Sequence, residues 1–69
     1  MNRVLRRRLR RKAIITTHAG QGFAGVLFEA DRNAFVLRNV EALGDAGSRM
    51  GVDGELVILA ADVAYIQLP

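Results

Sequence analysis

From Ala13 onward the chain reads as short β-type segments whose connections are too brief to hold a helix. Ile14, Ile15, Thr16 and Thr17 are β-branched in succession, which disfavours a helix and suits a strand. The first strand is therefore read over residues 13–19, with Gly20-Gln21-Gly22 as the turn that ends it. Phe23 to Ala30 resumes the strand pattern, Asp31-Arg32-Asn33 makes a tight connection, and Phe35 to Val40 follows as a third strand in a meander. Gly25, inside the second strand, leaves room for sharp curvature or for the backbone of a crossing element, as a small closed barrel requires. Residues 42–54 hold Gly44, Gly47, Gly51 and Gly54 and read as a glycine-rich loop. Glu55 to Ala60 and Val63 to Leu68 complete five strands, and Ala61-Asp62 between them is too short for a helical crossover. The expectation is a mainly β protein, a strongly bent five-stranded antiparallel sheet over residues 13–69 that forms a small barrel. An exposed last strand in so small a chain would be a docking edge for another copy.

Sixty-nine residues make one small domain, whose core supplies little net stability, so partners are expected to matter. With 51% hydrophobic residues the chain has enough apolar material to fold, unlike a disordered tail. There is no cysteine, which excludes a disulfide framework, a thiolate zinc site and a cysteine nucleophile, and sets the expectation of a cytoplasmic protein. No apolar run approaches the ~20 residues of a membrane span.

Charge is placed unevenly. Arg3, Arg6, Arg7, Arg8, Arg10, Arg11 and Lys12 put seven cations and no acid into residues 1–12, whereas the remainder sets three arginines against seven acids, a net of −4. In the basic stretch Leu5 and Leu9 are four apart, so a short helix capped by Asn2 would gather them into an apolar stripe among arginines. Such a helix is too short and self-repelling to stand alone, and is expected to dock through Leu5 and Leu9. Its cations suit phosphates, contacted without base readout and with a steep dependence on salt. An anionic membrane surface, an acidic protein partner or a purely structural cap are the other readings of the same charge.

Catalytic chemistry is thin. His18 is the only histidine, and Thr16 and Thr17 beside it make no triad without a positioned acid. Glu29 and Asp31, two apart on a strand, share a face, but two acids at a turn are more often solvated than metal-binding. Gly20-Gln21-Gly22-Phe23 lacks the strand, glycine and helix order of a phosphate loop. No enzyme signature, metal site or cofactor is expected. Phe23, Phe28, Phe35 and Tyr65 all fall in strand patterns, where core or interface roles come first.

The order of helix, strands and Asp31 turn resembles the Sm and Sm-like (LSm) proteins, a group that includes the bacterial RNA chaperone Hfq. The first motif of that family is similar to IITTHAGQGFAGVLFEADRNAFVLRNVEAL, Ile14 to Leu43, with Gly22, Gly25, Asp31 and Glu41 at matching places. The second is similar to ILAADVAYI, Ile58 to Ile66, where Asp62, Val63, Tyr65 and Ile66 keep its shape. The resemblance implies a basic helix over residues 1–12, a small SH3-like barrel, and a hexameric or heptameric homo-oligomeric ring made by pairing the fourth strand of one subunit with the fifth of the next. Leu56, Ile58, Val63, Tyr65 and Ile66 would then stand at the subunit interface. It also implies a single-stranded RNA ligand, for which Arg6, Arg7, Arg10 and Arg11 are the expected phosphate contacts and Asn33 a candidate base contact.

The sequence departs from the family where RNA would be read. Ala34 stands where a base-contacting Asn is usual, the turn is one residue shorter, and Leu59-Ala60 replaces an Arg-Gly pair, with Ala61 in place of an acid. The inner-rim uridine pocket is therefore expected to be absent or altered. A structural or adaptor ring that binds protein partners is the competing function, and a monomeric five-strand barrel of the OB or SH3-like type the competing architecture.

Overall fold

The computed structural model describes residues 3–7 and 9–69. The proposed cap Asn2 and the cation Arg8 lie outside the described residues. A five-residue helix α1 (Arg3–Arg7) precedes strands β1 (Lys12–Thr17), β2 (Gly22–Ala30), β3 (Ala34–Leu43), β4 (Arg49–Leu59) and β5 (Val63–Gln67). Short 3-10 turns, Asp45–Gly47 and Ala60–Asp62, lie before and after β4.

β1 shows how alternation becomes a core. Ala13, Ile15 and Thr17 are buried, while Lys12, Ile14 and Thr16 face the other way. Thr17 is a polar residue on the buried side, and its hydroxyl accepts a hydrogen bond from the Gln21 N–H at 3.2 Å, closing the β1–β2 turn. Gly20 takes a left-handed φ of 86° in that turn, where a side chain would be strained. Ile15, Leu27 and Leu37 are fully buried and, with Ala13, Phe35, Val40 and Ile58, make the core. Leu5 and Leu9 pack against this cluster. Beyond the helix the chain is tied to β2, because the Arg10 N–H donates to the Leu27 carbonyl at 2.6 Å and the Leu27 N–H to the Arg11 carbonyl at 2.9 Å.

The strand order is β4-β3-β2-β1-β5, with every neighbouring pair antiparallel. This corrects the expected barrel: the sheet is open, neither closed nor strongly curled. β4 and β5 are the two ends of the ladder and no pairing joins them. The cause lies in the link, whose backbone is committed elsewhere. The Ala60 N–H donates to the Asn33 carbonyl at 2.8 Å and the His18 N–H to the Asp62 carbonyl at 2.9 Å, after which β5 pairs with β1. Each end strand keeps one unpaired edge.

The stretch 42–54 is also different from the loop read in the sequence. β3 runs to Leu43 and β4 begins at Arg49, with Leu43 opposite Arg49, Ala42 opposite Met50 and Glu41 opposite Gly51, so only residues 44–48 connect the strands. Gly51 sits in the ladder without steric conflict, and Gly54, at φ 74°, faces a register shift that also places Asn39 at φ 52°. Pairing backbone groups in a ladder outweighs the glycines' freedom here.

Gly25 stands at a second shift, between Ala24 and Val26. A Cβ there would lie 2.9 Å from the Arg38 carbonyl oxygen and 3.2 Å from a Val40 methyl. Its role is the close approach of the neighbouring strand's backbone.

Candidate functional site: a basic arm on an open sheet

The foot of the arm is packed on the core, and none of its described cations is in an ion pair. Arg6 and Arg7 end α1 with exposed side chains, and Arg10, Arg11 and Lys12 are exposed as the chain enters β1. Ion pairs among the described residues join Arg38 to Glu55 at 2.6 Å and Arg49 to Glu41 at 3.2 Å, and neither involves the arm. Arg10 holds a left-handed φ of 66°, uncommon for a residue with a side chain, and its guanidinium carbon lies 4.9 Å from the Phe28 ring centroid.

Asn33 is placed by the Asp31 turn, not by the arm. Asp31 accepts hydrogen bonds at one carboxylate oxygen from the Asn33 N–H at 2.7 Å and the Ala34 N–H at 2.9 Å, and its own N–H donates to the Ala34 carbonyl at 3.0 Å. The Asp31-Arg32-Asn33 connection is thus a side-chain-closed turn. It brings Asn33 beside Ala60, with an exposed side chain, but Ala34, Leu59, Ala60 and Ala61 add no polar side chain to a pocket. A shallow cleft whose lining includes Leu9, Phe28, Val36 and the two acids Glu29 and Asp31 runs between the arm and this turn.

The hydrogen bond from the Asn33 N–H, then that from Ala34, holds the Asp31 carboxyl below its usual pKa. A depressed folded pKa adds stability that is complete above the unfolded value of about 3.9 and is lost as pH falls through the folded value. Asp31→Asn keeps an acceptor but cannot titrate. Its melting temperature should therefore fall less than the wild type's between pH 5 and pH 3, as read by circular dichroism; parallel acid profiles would show that the turn contributes nothing to acid sensitivity.

His18 is exposed and lines an open cleft with Phe23, Val57, Leu59 and Asp62, apart from Glu29 and Asp31. Among the described residues no cluster of three or more His, Cys, Asp or Glu is arranged to hold a metal ion. No described helix is long and apolar enough to cross a membrane.

The sequence-derived interface residues divide by direction. Ile58 is buried in the protomer core, and Leu56, Val63 and Ile66 are half-buried against it. Tyr65, 57% exposed, points outward. Val57 and Leu59, 58% and 55% exposed, are the outward apolar residues of β4 that the sequence reading passed over, although they alternate with Leu56 and Ile58 and period two marks them.

No family model matches the chain, and no curated protein does. Among solved structures, a heptameric archaeal Sm protein superposes with a TM-score of 0.90 at 17% identity, covering 99% of this chain and 98% of that one. The SmAP (LSm) protein from Methanococcus vannielii superposes with a TM-score of 0.77 at 20% identity, over 94% of this chain and 89% of that one. Likeness at these identities speaks of architecture alone, and the architecture of this chain is the Sm/LSm fold.

Proposed function

We propose that the chain is a non-catalytic Sm-like protein that assembles through the free edges of β4 and β5 into a homo-oligomeric ring, hexameric or heptameric, and binds single-stranded RNA largely through phosphate contacts from its basic arm. The carrying observation is the exposure of Arg6, Arg7, Arg10 and Arg11 on an arm anchored by Leu5 and Leu9, with no carboxylate pairing them among the described residues. An end strand of one copy added to the opposite end strand of the next is a head-to-tail contact, which closes into a ring when the rotation per copy allows it. Repetition of the arm around a ring would multiply its attraction for a polyanion. Asn33 is the remaining candidate for a base contact.

The test is anisotropy titration of nucleic-acid-free protein with uridine-rich and adenosine-rich RNAs at low and near-physiological salt. Binding to both that weakens steeply with salt supports the arm mechanism; absence of binding at low salt overturns it. Arg6→Gln, Arg7→Gln and Arg11→Gln combined keep Leu5 and Leu9, and should flatten the salt slope by about 0.7 for each phosphate left without its arginine. An unchanged slope would remove the arm from the mechanism.

A second reading is a structural or adaptor ring whose arginines seat on an acidic protein. Ala34 and Leu59-Ala60 favour it, because none of the three adds a polar side chain beside the Asn33 turn.

A further inference from the structure

The cleft that holds His18 follows the edge of a strand. It is lined by four consecutive residues of β4, Leu56 to Leu59, together with His18 between β1 and β2, Phe23 of β2, and Asp62 of the link that leads into β5. Side chains alternate across a strand, so a cleft on one face of β4 would be lined by every second residue. Four in a row place this one along the strand's edge. The opposite edge of β4 is paired with β3, so the edge in the cleft is the free one. His18 and Asp62 therefore stand across from the edge to which β5 of another copy would add.

The backbone of that corner is held before any second copy arrives. The His18 N–H donates to the Asp62 carbonyl at 2.9 Å, the Thr17 N–H to the Gln21 carbonyl at 2.8 Å, and the Gly20 N–H to the Thr17 carbonyl at 2.9 Å. The His18 imidazole is exposed and forms no ion pair among the described residues. Charged neighbours are few. Among the described residues β4 brings only apolar side chains to the cleft, the β1–β2 corner brings no charge besides His18, and the link brings the Asp62 carboxylate. The incoming strand, Val-Ala-Tyr-Ile-Gln, carries no Asp, Glu, Lys, Arg or His. Closing the cleft would thus take an imidazolium out of water with one carboxylate, outside ion-pair distance, to offset the loss. Desolvation of a charge outweighs the attraction of so loose a pair, whereas a neutral imidazole is covered at little cost.

We propose that His18 is a pH-sensitive gate on assembly: the neutral imidazole admits β5 of a second copy to the free edge of β4, and the imidazolium opposes it. This rests on the ring reading above and adds its control. Histidine is the side chain that changes charge between about pH 5 and pH 8. The joined form binds the proton less readily than the single chain, so acid shifts the balance toward the single chain. Asp62 favours the cation and tempers the effect. The arginines of the arm stay charged over the whole range, so repulsion between arms does not change with it.

The test follows the mass of the full-length protein, free of nucleic acid, by light scattering from pH 8 to pH 5.5 at constant salt and protomer concentration, with circular dichroism alongside. The wild type should show a multiple of the single-chain mass at pH 8 and lose it on acidification, each joint weakening about tenfold or more, while its β-type spectrum stays. His18→Gln, neutral throughout, should keep the multiple at both ends of the range. His18→Lys, charged throughout, should be single-chain already at pH 8. A wild-type multiple that ignores pH, a His18→Gln variant that dissociates in step with the wild type, or a His18→Lys variant that assembles like it at pH 8 overturns the gate and leaves the ring reading standing. A wild type that is single-chain at pH 8 removes the ring reading and the gate with it.

Discussion

Leu37→Ala should unfold a large fraction of this protein under conditions where the wild type is folded. Leu37 is fully buried in the middle of β3, flanked by Leu27 on β2 and Leu56 on β4. Truncating such a leucine costs about 2–5 kcal/mol, from lost transfer free energy and from the cavity left behind. At about 0.05–0.15 kcal/mol per residue, a domain of this size has roughly 3–10 kcal/mol in total. One side chain is thus worth about a fifth or more of the whole, and the melting temperature should drop by about 8 °C or more. Met50→Ala is the matched control, since Met50 is 71% exposed and its loss should stay within about 0.5 kcal/mol. Comparison at equal protomer concentration keeps assembly from entering the difference. Equal shifts for the two variants would overturn the assignment of the core to the side of the sheet that carries Leu27 and Leu37.

What could be read in the sequence was what local chemistry decides. The β-branched run Ile14 to Thr17 is a strand because its side chains leave it little else, and the Asp31 turn closes because a carboxylate two and three residues before free N–H groups can accept from both. Gly25 was legible as a place where backbone comes close, although the backbone proves to be that of the adjacent β3. Pairings between distant segments were not legible. Nothing in Ala60-Ala61-Asp62 announces that its N–H and carbonyl groups will be taken by Asn33 and His18, and that choice leaves β4 and β5 at opposite ends of an open sheet. The glycines of 42–54 signal freedom, and only the partner strand decides whether it is used. At the site the same division holds. The arm is plain from charge alone, whereas Arg38 reads as one arginine in a strand until the register sets it beside Phe28 and opposite Glu55. Val57 and Leu59 escaped because an apolar strand does not by its composition say which half of it faces outward.

Those outward residues carry the second large effect. Val36 lies opposite Val57, Ala34 opposite Leu59, and Thr16 opposite Tyr65, so the exposed apolar side chains of both end strands project on the face away from the core. If β5 of one copy extends the sheet at β4 of the next, this face continues across the joint and Tyr65 of one copy is covered close to Val57 and Leu59 of the other. Backbone groups unpaired in the single chain find partners, and apolar surface leaves water. Val57→Asp and Tyr65→Asp each place a carboxylate in that contact with no cation provided for it, at a cost of several kcal/mol per joint, repeated around the ring. Light scattering should then show a single-chain mass for either variant where the wild type shows a multiple. Both positions are more than half exposed in the protomer, so its β-type circular dichroism should survive. Ile66→Asp would not separate these effects, because Ile66 also packs on the core. A wild type that is already single-chain at micromolar concentration, or two variants that keep the wild-type mass, would refute edge-to-edge assembly. Loss of assembly with RNA binding weakened in step would show that the arms act together, which is the behaviour a ring of dilute, self-repelling charges needs from its ligand.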